Sequence, residues 1–299
     1  MNREREIYKV TLVGSAANIL LTVFKFVAGI LGHSAAMTAD AVHSLSDLAT
    51  DAVVLLFVKI SSKPADRDHD YGHGKYETLA TAIVGLALAA VAVGIAYNAV
   101  VSLVFWFHGG ELRAPAMLAL WAALASIVVK EIVYQYTIRK AKALDSPAVR
   151  ANAWHHRSDA LSSLGTLVGI AGAIFLGHRW TVLDPLASLV VAIFILRVAY
   201  KLLKQGLNEL MEASLPEETE NEIIRIVSSF PDVCDPHNLR TRRIGNRIAI
   251  ELHIRMDGNL PLSVSHDRTR EIEQALKQRF GSHTHITLHV EPTKAAPLS

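Results

Sequence analysis

At 299 residues, 51% of them hydrophobic and with a mean hydropathy of +0.28, the chain is too apolar for an ordinary soluble protein of its length. Its 30 basic and 28 acidic side chains leave a net charge of +2, which excludes the strongly basic balance of a nucleic-acid binder. The single cysteine, Cys234, excludes an intrachain disulfide framework and any cysteine-rich zinc module, so metal chemistry has to come from the 14 histidines and the acids. Cys234 itself is read as a small, semi-buried residue.

The N-terminus, MNREREIYK, mixes charges of both signs and leads into a long apolar run without a small-residue cleavage pattern. It predicts a retained membrane span and no removed signal peptide. Six spans are expected, at 8–31, 35–60, 79–107, 115–138, 149–176 and 181–203, each longer than the roughly 20 residues that cross a hydrocarbon core. Lys59, Lys63, Arg67 and Lys75 lie between spans two and three, and Arg139, Lys140, Lys142 and Arg150 between four and five. The other loops hold little beyond Arg113 and Arg179. The positive-inside rule then puts both termini and the two basic loops in the cytoplasm of a multi-pass inner-membrane protein. Lys25 and Lys130, inside spans one and four, either snorkel or pair, and receive no role.

Span two contains ADAVHSLSDLATD, in which Asp40, His43, Asp47 and Asp51 follow one another at spacings of three, four and four and so share one helix face. Each aspartate near the middle of a bilayer costs roughly 2.5 to 3.5 kcal/mol on insertion scales, a cost that calls for a compensating ligand. Span five repeats the H-x-x-x-D spacing with His155 and Asp159. Two helices that each offer an imidazole nitrogen and a carboxylate oxygen can close a tetrahedral shell of the kind that suits zinc. The plainer reading, polar groups that only fix helix packing, usually needs no more than Ser, Thr or Asn. Asp40 and Asp51 are either rungs of a hydrophilic pathway or interfacial residues.

The loop PADRDHDYGHGKYE, 64–77, holds Asp66, His69 and His73, with Gly72 and Gly74 permitting a tight turn around a bound ion. A solvated linker explains it equally well. Composition turns polar after 203, and a domain boundary is expected between 210 and 216, giving a membrane domain over 1–209, a second domain over 210–293 and a disordered tail over 294–299. Pro216-Glu217-Glu218 opens a helix; strands follow at 238–243 and 247–256 around Gly245-Asn246, then a helix at 263–280 and a strand at 285–290. This αββαβ order implies a small α+β layer domain. It is dense in histidine, with His237, His253, His266, His283, His285 and His289. In the last strand His283, His285, His289 and Glu291 share one parity and so one face. Any one of these histidines alone reads as inert, but the group reads as a metal site.

Taken together, the H-x-x-x-D pairs of spans two and five, the PAD-x-x-H-x-x-GHGK-x-E loop, the Asp184-Pro185 pair opening span six and the LRTR strand at 239–242 resemble the cation diffusion facilitator family of divalent-metal/proton antiporters along essentially the whole chain. The resemblance implies a homodimer in the lipid bilayer whose cytoplasmic, ferredoxin-like domains bind regulatory metal. It also implies His43, Asp47, His155 and Asp159 as transport site, Asp66, His69 and His73 as loop site, and His237, His253, His266, His289 and Glu291 as cytoplasmic site, with Lys75 paired to Glu212. Two positions depart from the family's bacterial exporters: His43 stands where they often carry aspartate, and Val290-Glu291 where they carry an aspartate or a Gln-Asp pair.

Two imidazoles and two carboxylates make Zn2+ the first expectation for both transported and regulatory ion, with Fe2+, Mn2+ and Cd2+ as alternatives. Histidine must lose its proton to bind metal, so protons and metal compete at the tetrad, which is the logic of an antiport. The alternative class is a membrane metal sensor or scaffold without transport. An intramembrane hydrolase is disfavoured because four protein ligands leave no open position for a catalytic water.

Overall fold

The structure, a computed structural model, describes residues 3–61, 63–143, 147–245 and 247–293. Six long helices come first: α1 (Arg3–Leu31), α2 (Ala35–Ser61), α3 (Lys75–Phe107), α4 (Met117–Ala143), α5 (Pro147–Phe175) and, after a short 3-10 turn, α6 (Leu183–Leu210). The remainder is α7 (Glu217–Ser228), β1 (Cys234–Ile244), β2 (Arg247–Met256), α8 (Leu262–Phe280) and β3 (His285–Pro292). Chain contacts divide the molecule into two compact units, Met1–Ala52 with Val84–Leu202, and Val53–Ile83 with Leu203–Ser299.

The first unit exposes large apolar side chains and buries charged and polar ones among its small apolar residues. Leu20, Leu86, Phe107 and Val168 face outward, whereas Lys25, Asp40, Ser44, Asp159 and Ser163 are buried. In water that arrangement would forfeit about 25 cal/mol for every Å² of apolar surface left exposed, so the solvent it fits is lipid. Among the described residues five helices are long and apolar enough to cross a membrane, those built on α1, α3, α4, α5 and α6. In the sixth, α2, most side chains between 50 and 59, Asp51 among them, lie outside the described set. Small residues bring the helices close: Ala28, Ala36, Ala119, Ala122 and Ala123 form one buried cluster with Met37 and Ile170.

The Asp-Pro pair at the start of α6 has a visible purpose. Asp184 accepts hydrogen bonds from the Ser34 hydroxyl (2.6 Å) and the Ala35 N–H (2.7 Å), while Met37 N–H donates to Ser34 Oγ (3.0 Å). Ser34 thus caps α2, and a carboxylate from another helix sits at the positive end of its dipole. This fixes where α2, the helix carrying His43 and Asp47, begins.

In the second unit the sheet runs β1-β2-β3, with β1 antiparallel and β3 parallel to β2. A parallel neighbour needs a crossover, supplied by α8. Ile250, Leu252, Ile254 and Met256 alternate along β2 and pack on Ile223 and Val227 of α7 and Ile272 and Leu276 of α8. The other parity, holding His253 and Arg255 and, on β3, His289 and Glu291, therefore points to the opposite face of the sheet. The expected strands and helices are all present, each within a few residues of the range read from sequence. The Gly245-Asn246 turn falls partly, and the tail 294–299 wholly, outside the described residues.

Candidate metal centres

Ligand atoms of His43 and Asp47 on α2 and Asp159 on α5 lie within 4.8 Å of one another. They line a cavity of about 750 Å³ closed on another side by Leu183, Val190 and Phe194 of α6. His43 Nδ1 is buried without a hydrogen-bond partner among the described residues. That leaves an imidazole nitrogen free to coordinate. The side chain of His155, the fourth expected member, lies outside the described residues.

The two lysines around this cluster, to which the sequence assigned no role, are both paired. Lys25 of α1 is fully buried, its Nζ 2.7 Å from Asp40 Oδ2, and it donates to Ser44 Oγ (3.0 Å) and Ser163 Oγ (3.3 Å). Ser163 donates in turn to Asp40 (3.1 Å). Asp40 is therefore the hub of a closed polar knot between α1, α2 and α5. Lys130 of α4, also buried, places Nζ 3.3 Å from Asp159 Oδ2. A basic residue three or four positions from no acid on its own helix gives no signal in sequence, because its partner comes from another helix.

In the loop before α3, the exposed Asp66 Oδ1 accepts the N–H groups of Asp68 (3.1 Å) and His69 (2.9 Å), closing a local turn. Its oxygens stand 3.4 Å from His69 Nδ1 and 3.4 Å from His73 Nε2, and the centres of the two tilted rings are 4.3 Å apart. Gly72, at φ +76°, makes the bend that brings His73 back. All three ligand atoms fall within 4.8 Å of one another. Two residues after His73, Lys75 is ion-paired with Glu212, which Arg242 also approaches (3.2 Å). The Lys75 hydrogen bond, chiefly, holds the Glu212 carboxyl below the usual range.

On the open sheet face His237, His253 and Glu291 form the third cluster. The register sets His237 opposite His253 and His253 beside His289, whose rings are 4.6 Å apart. Register shifts on both sides of His237, with Asp235 and Asn238 at positive φ, turn its ring. His237 Nδ1–H donates to Asp235 O (2.7 Å), which turns Nε2 toward Glu291, 3.5 Å from its Oε2. Arg255 donates to Glu291 from Nε (3.2 Å) and Nη2 (3.1 Å), and His253 Nδ1 lies 3.2 Å from Oε1. Those bonds, Arg255 first and His253 second, keep the Glu291 carboxyl below its ordinary pKa. His266 is exposed on α8 and is not brought into this cluster among the described residues. Cys234, expected to be semi-buried, is exposed at the start of β1.

Comparison with known proteins assigns both parts of the chain to one family. Residues 11–211 match the cation efflux transmembrane domain and residues 215–293 the cytoplasmic domain of cation efflux proteins. The manganese efflux system protein MneP of Bacillus subtilis is 35% identical over 294 residues, 97% of each chain. The magnetosome protein MamB of Magnetospirillum gryphiswaldense is 31% identical over 94% of this chain and 92% of its own. A solved structure, the metal-bound C-terminal domain of the CzcD transporter from Thermotoga maritima, is 27% identical over 27% of this chain and 99% of its own, with a TM-score of 0.25. The apolar helices make this a multi-pass membrane protein, and its family matches and transporter relatives make it a metal-cation transporter and not an enzyme. The chain belongs to the cation diffusion facilitator family of divalent-metal transporters.

Proposed function

We propose that the protein exports a divalent transition-metal cation from the cytoplasm in exchange for protons, with His43, Asp47, His155 and Asp159 as its transport site. The observation that carries the reading is the meeting of His43, Asp47 and Asp159 within 4.8 Å beside a cavity inside the helical unit. In this reading α2 is a sixth span, the membrane domain covers 1–209 and both termini are cytoplasmic in an inner membrane. Residues 210–293 form a ferredoxin-like domain through which two copies pair.

The exchange follows from the ligands. An imidazole with an unperturbed pKa of about 6.5 binds metal only when deprotonated. Facing the cytoplasm the site sheds protons and loads the ion; facing outward, where protons are more abundant, it protonates and releases it. Zn2+ is the favoured cargo, because imidazole nitrogen paired with carboxylate suits it better than it suits harder ions. Mn2+ is the second reading, favoured by the manganese efflux protein at 35% identity over 97% of both chains; Fe2+ and Cd2+ share the donor chemistry.

Asp66, His69 and His73 form a loop site, and His237, His253, His289 and Glu291 a cytoplasmic regulatory site, to which sequence resemblance adds His266. Metal held there biases the inward- and outward-facing populations only if it binds one state better than the other. A sensor or scaffold built on the same residues predicts metal binding without flux. Uptake of zinc and of manganese by proteoliposomes separates the two: the parent accumulates ion, and His43→Ala and His155→Ala lose uptake while remaining folded. Uptake that persists in both variants contradicts the site assignment.

A further inference from the structure

The two buried lysines of the helical unit differ in how they are held. Lys25 has three polar partners, Asp40, Ser44 and Ser163, one for each N–H of its ammonium, and Asp40 is further bound by the Ser163 hydroxyl. That group is complete and its charges cancel. Lys130 has, among the described residues, one partner, Asp159, at the long separation of 3.3 Å.

We propose that Lys130 is a tethered counter-cation of the transport site, competing with the metal ion for the Asp159 carboxylate and thereby setting affinity and release. The proposal rests on the site assignment made above. Asp159 belongs at once to the cluster with His43 and Asp47 and to the pair with Lys130. A divalent ion placed among His43, Asp47 and Asp159 stands beside a buried ammonium, and in a volume shielded from water the two cations repel strongly. One of them has to give way. The lysine is able to, since its charge sits at the end of a flexible four-carbon stem and no second partner among the described residues fixes it. When the ion leaves, the ammonium returns and the carboxylate is never left buried without a counter-charge.

Helix packing does not account for the pair. α4 is already joined to α5 by Arg157, which donates to the Tyr134 hydroxyl (3.1 Å) and covers its ring at 4.7 Å. Nor does Lys25 serve the same end, because its ion pair is with Asp40, which is not a member of the metal cluster.

The test is initial-rate transport by the full-length protein in proteoliposomes, with zinc and with manganese, for the parent, Lys130→Gln, Lys130→Arg and Asp159→Ala. Removing the competing charge lowers KM by about tenfold and slows turnover, because the ion is held longer. The planar guanidinium of Lys130→Arg grips the carboxylate more firmly and raises KM. A purely structural lysine would not move KM in opposite directions in the two variants. If Asp159→Ala is inactive while Lys130→Gln keeps the parent's KM or raises it, the counter-cation proposal falls and the site assignment stands. If Lys130→Gln does not fold, Lys130→Arg decides, and a KM at or below the parent's overturns the proposal. Transport retained in Asp159→Ala overturns both.

Discussion

Glu291 illustrates how neighbouring donors set the charge of a single side chain. Arg255 and His253 hold its carboxyl below the usual range of about 4.3. A depressed folded pKa contributes stability that is present above the unfolded value and is lost as pH falls through the folded one. Arg255→Met removes the largest part of that contribution. The loss of hydrogen-exchange protection along β2 and β3 should therefore be largest near neutral pH and fade in acid; an equal loss at every pH would mean that Arg255 acts by packing alone. The parity of His253, His289 and Glu291 was legible because a strand has period two. The orientation of His237 was not, since it depends on backbone shifts around Asp235 and Asn238 that no composition announces. Lys25 and Lys130 were seen but given no role, because their acids lie on other helices.

Among the elements, α2 depends most on a neighbour. Its N-terminus is capped by Ser34 and by Asp184 from α6, so the helix that carries His43 and Asp47 is positioned by a residue about 150 places further along the chain. Asp184→Ala leaves the N–H groups of Ala35 and Ala36 without that acceptor, a loss of about 1 to 2 kcal/mol for a cap. Thermal unfolding in detergent should shift downward accordingly, with Asp184→Asn intermediate; an unchanged midpoint would show that Ser34 alone suffices. The Asp-Pro pair was recognisable as a motif in sequence, but its use as a cap for another helix required the fold. A comparable contact occurs in the second unit, where Gly245, at φ +60°, lies against Gly74 so closely that an added Cβ would stand 2.6 Å from Gly74 O. No side chain fits there.

For the whole molecule, hydropathy and the positive-charge pattern disclosed a helical membrane domain and a polar C-terminal domain, because lipid and water impose opposite compositions on the surfaces they touch. Sequence placed the division near 210. The contacts instead group the loop of Asp66, His69 and His73, and the helix ends around it, with the polar domain. That grouping depends on Gly74 meeting the β1–β2 turn and on Lys75 meeting Glu212, pairings between residues far apart in the chain. The meeting of His43, Asp47 and Asp159 was legible from the H-x-x-x-D spacing, since i and i+4 fall on one helix face. What spacing could not supply was the charge balance around it.

The central claim is that metal leaves in exchange for protons. The most direct measurement is lumenal pH in proteoliposomes, read with a trapped dye while zinc is added outside. The account predicts that zinc entry is accompanied by proton exit, that the lumen turns alkaline at a rate proportional to uptake, and that Asp159→Ala shows neither movement. Zinc entry with no change in lumenal pH would contradict it.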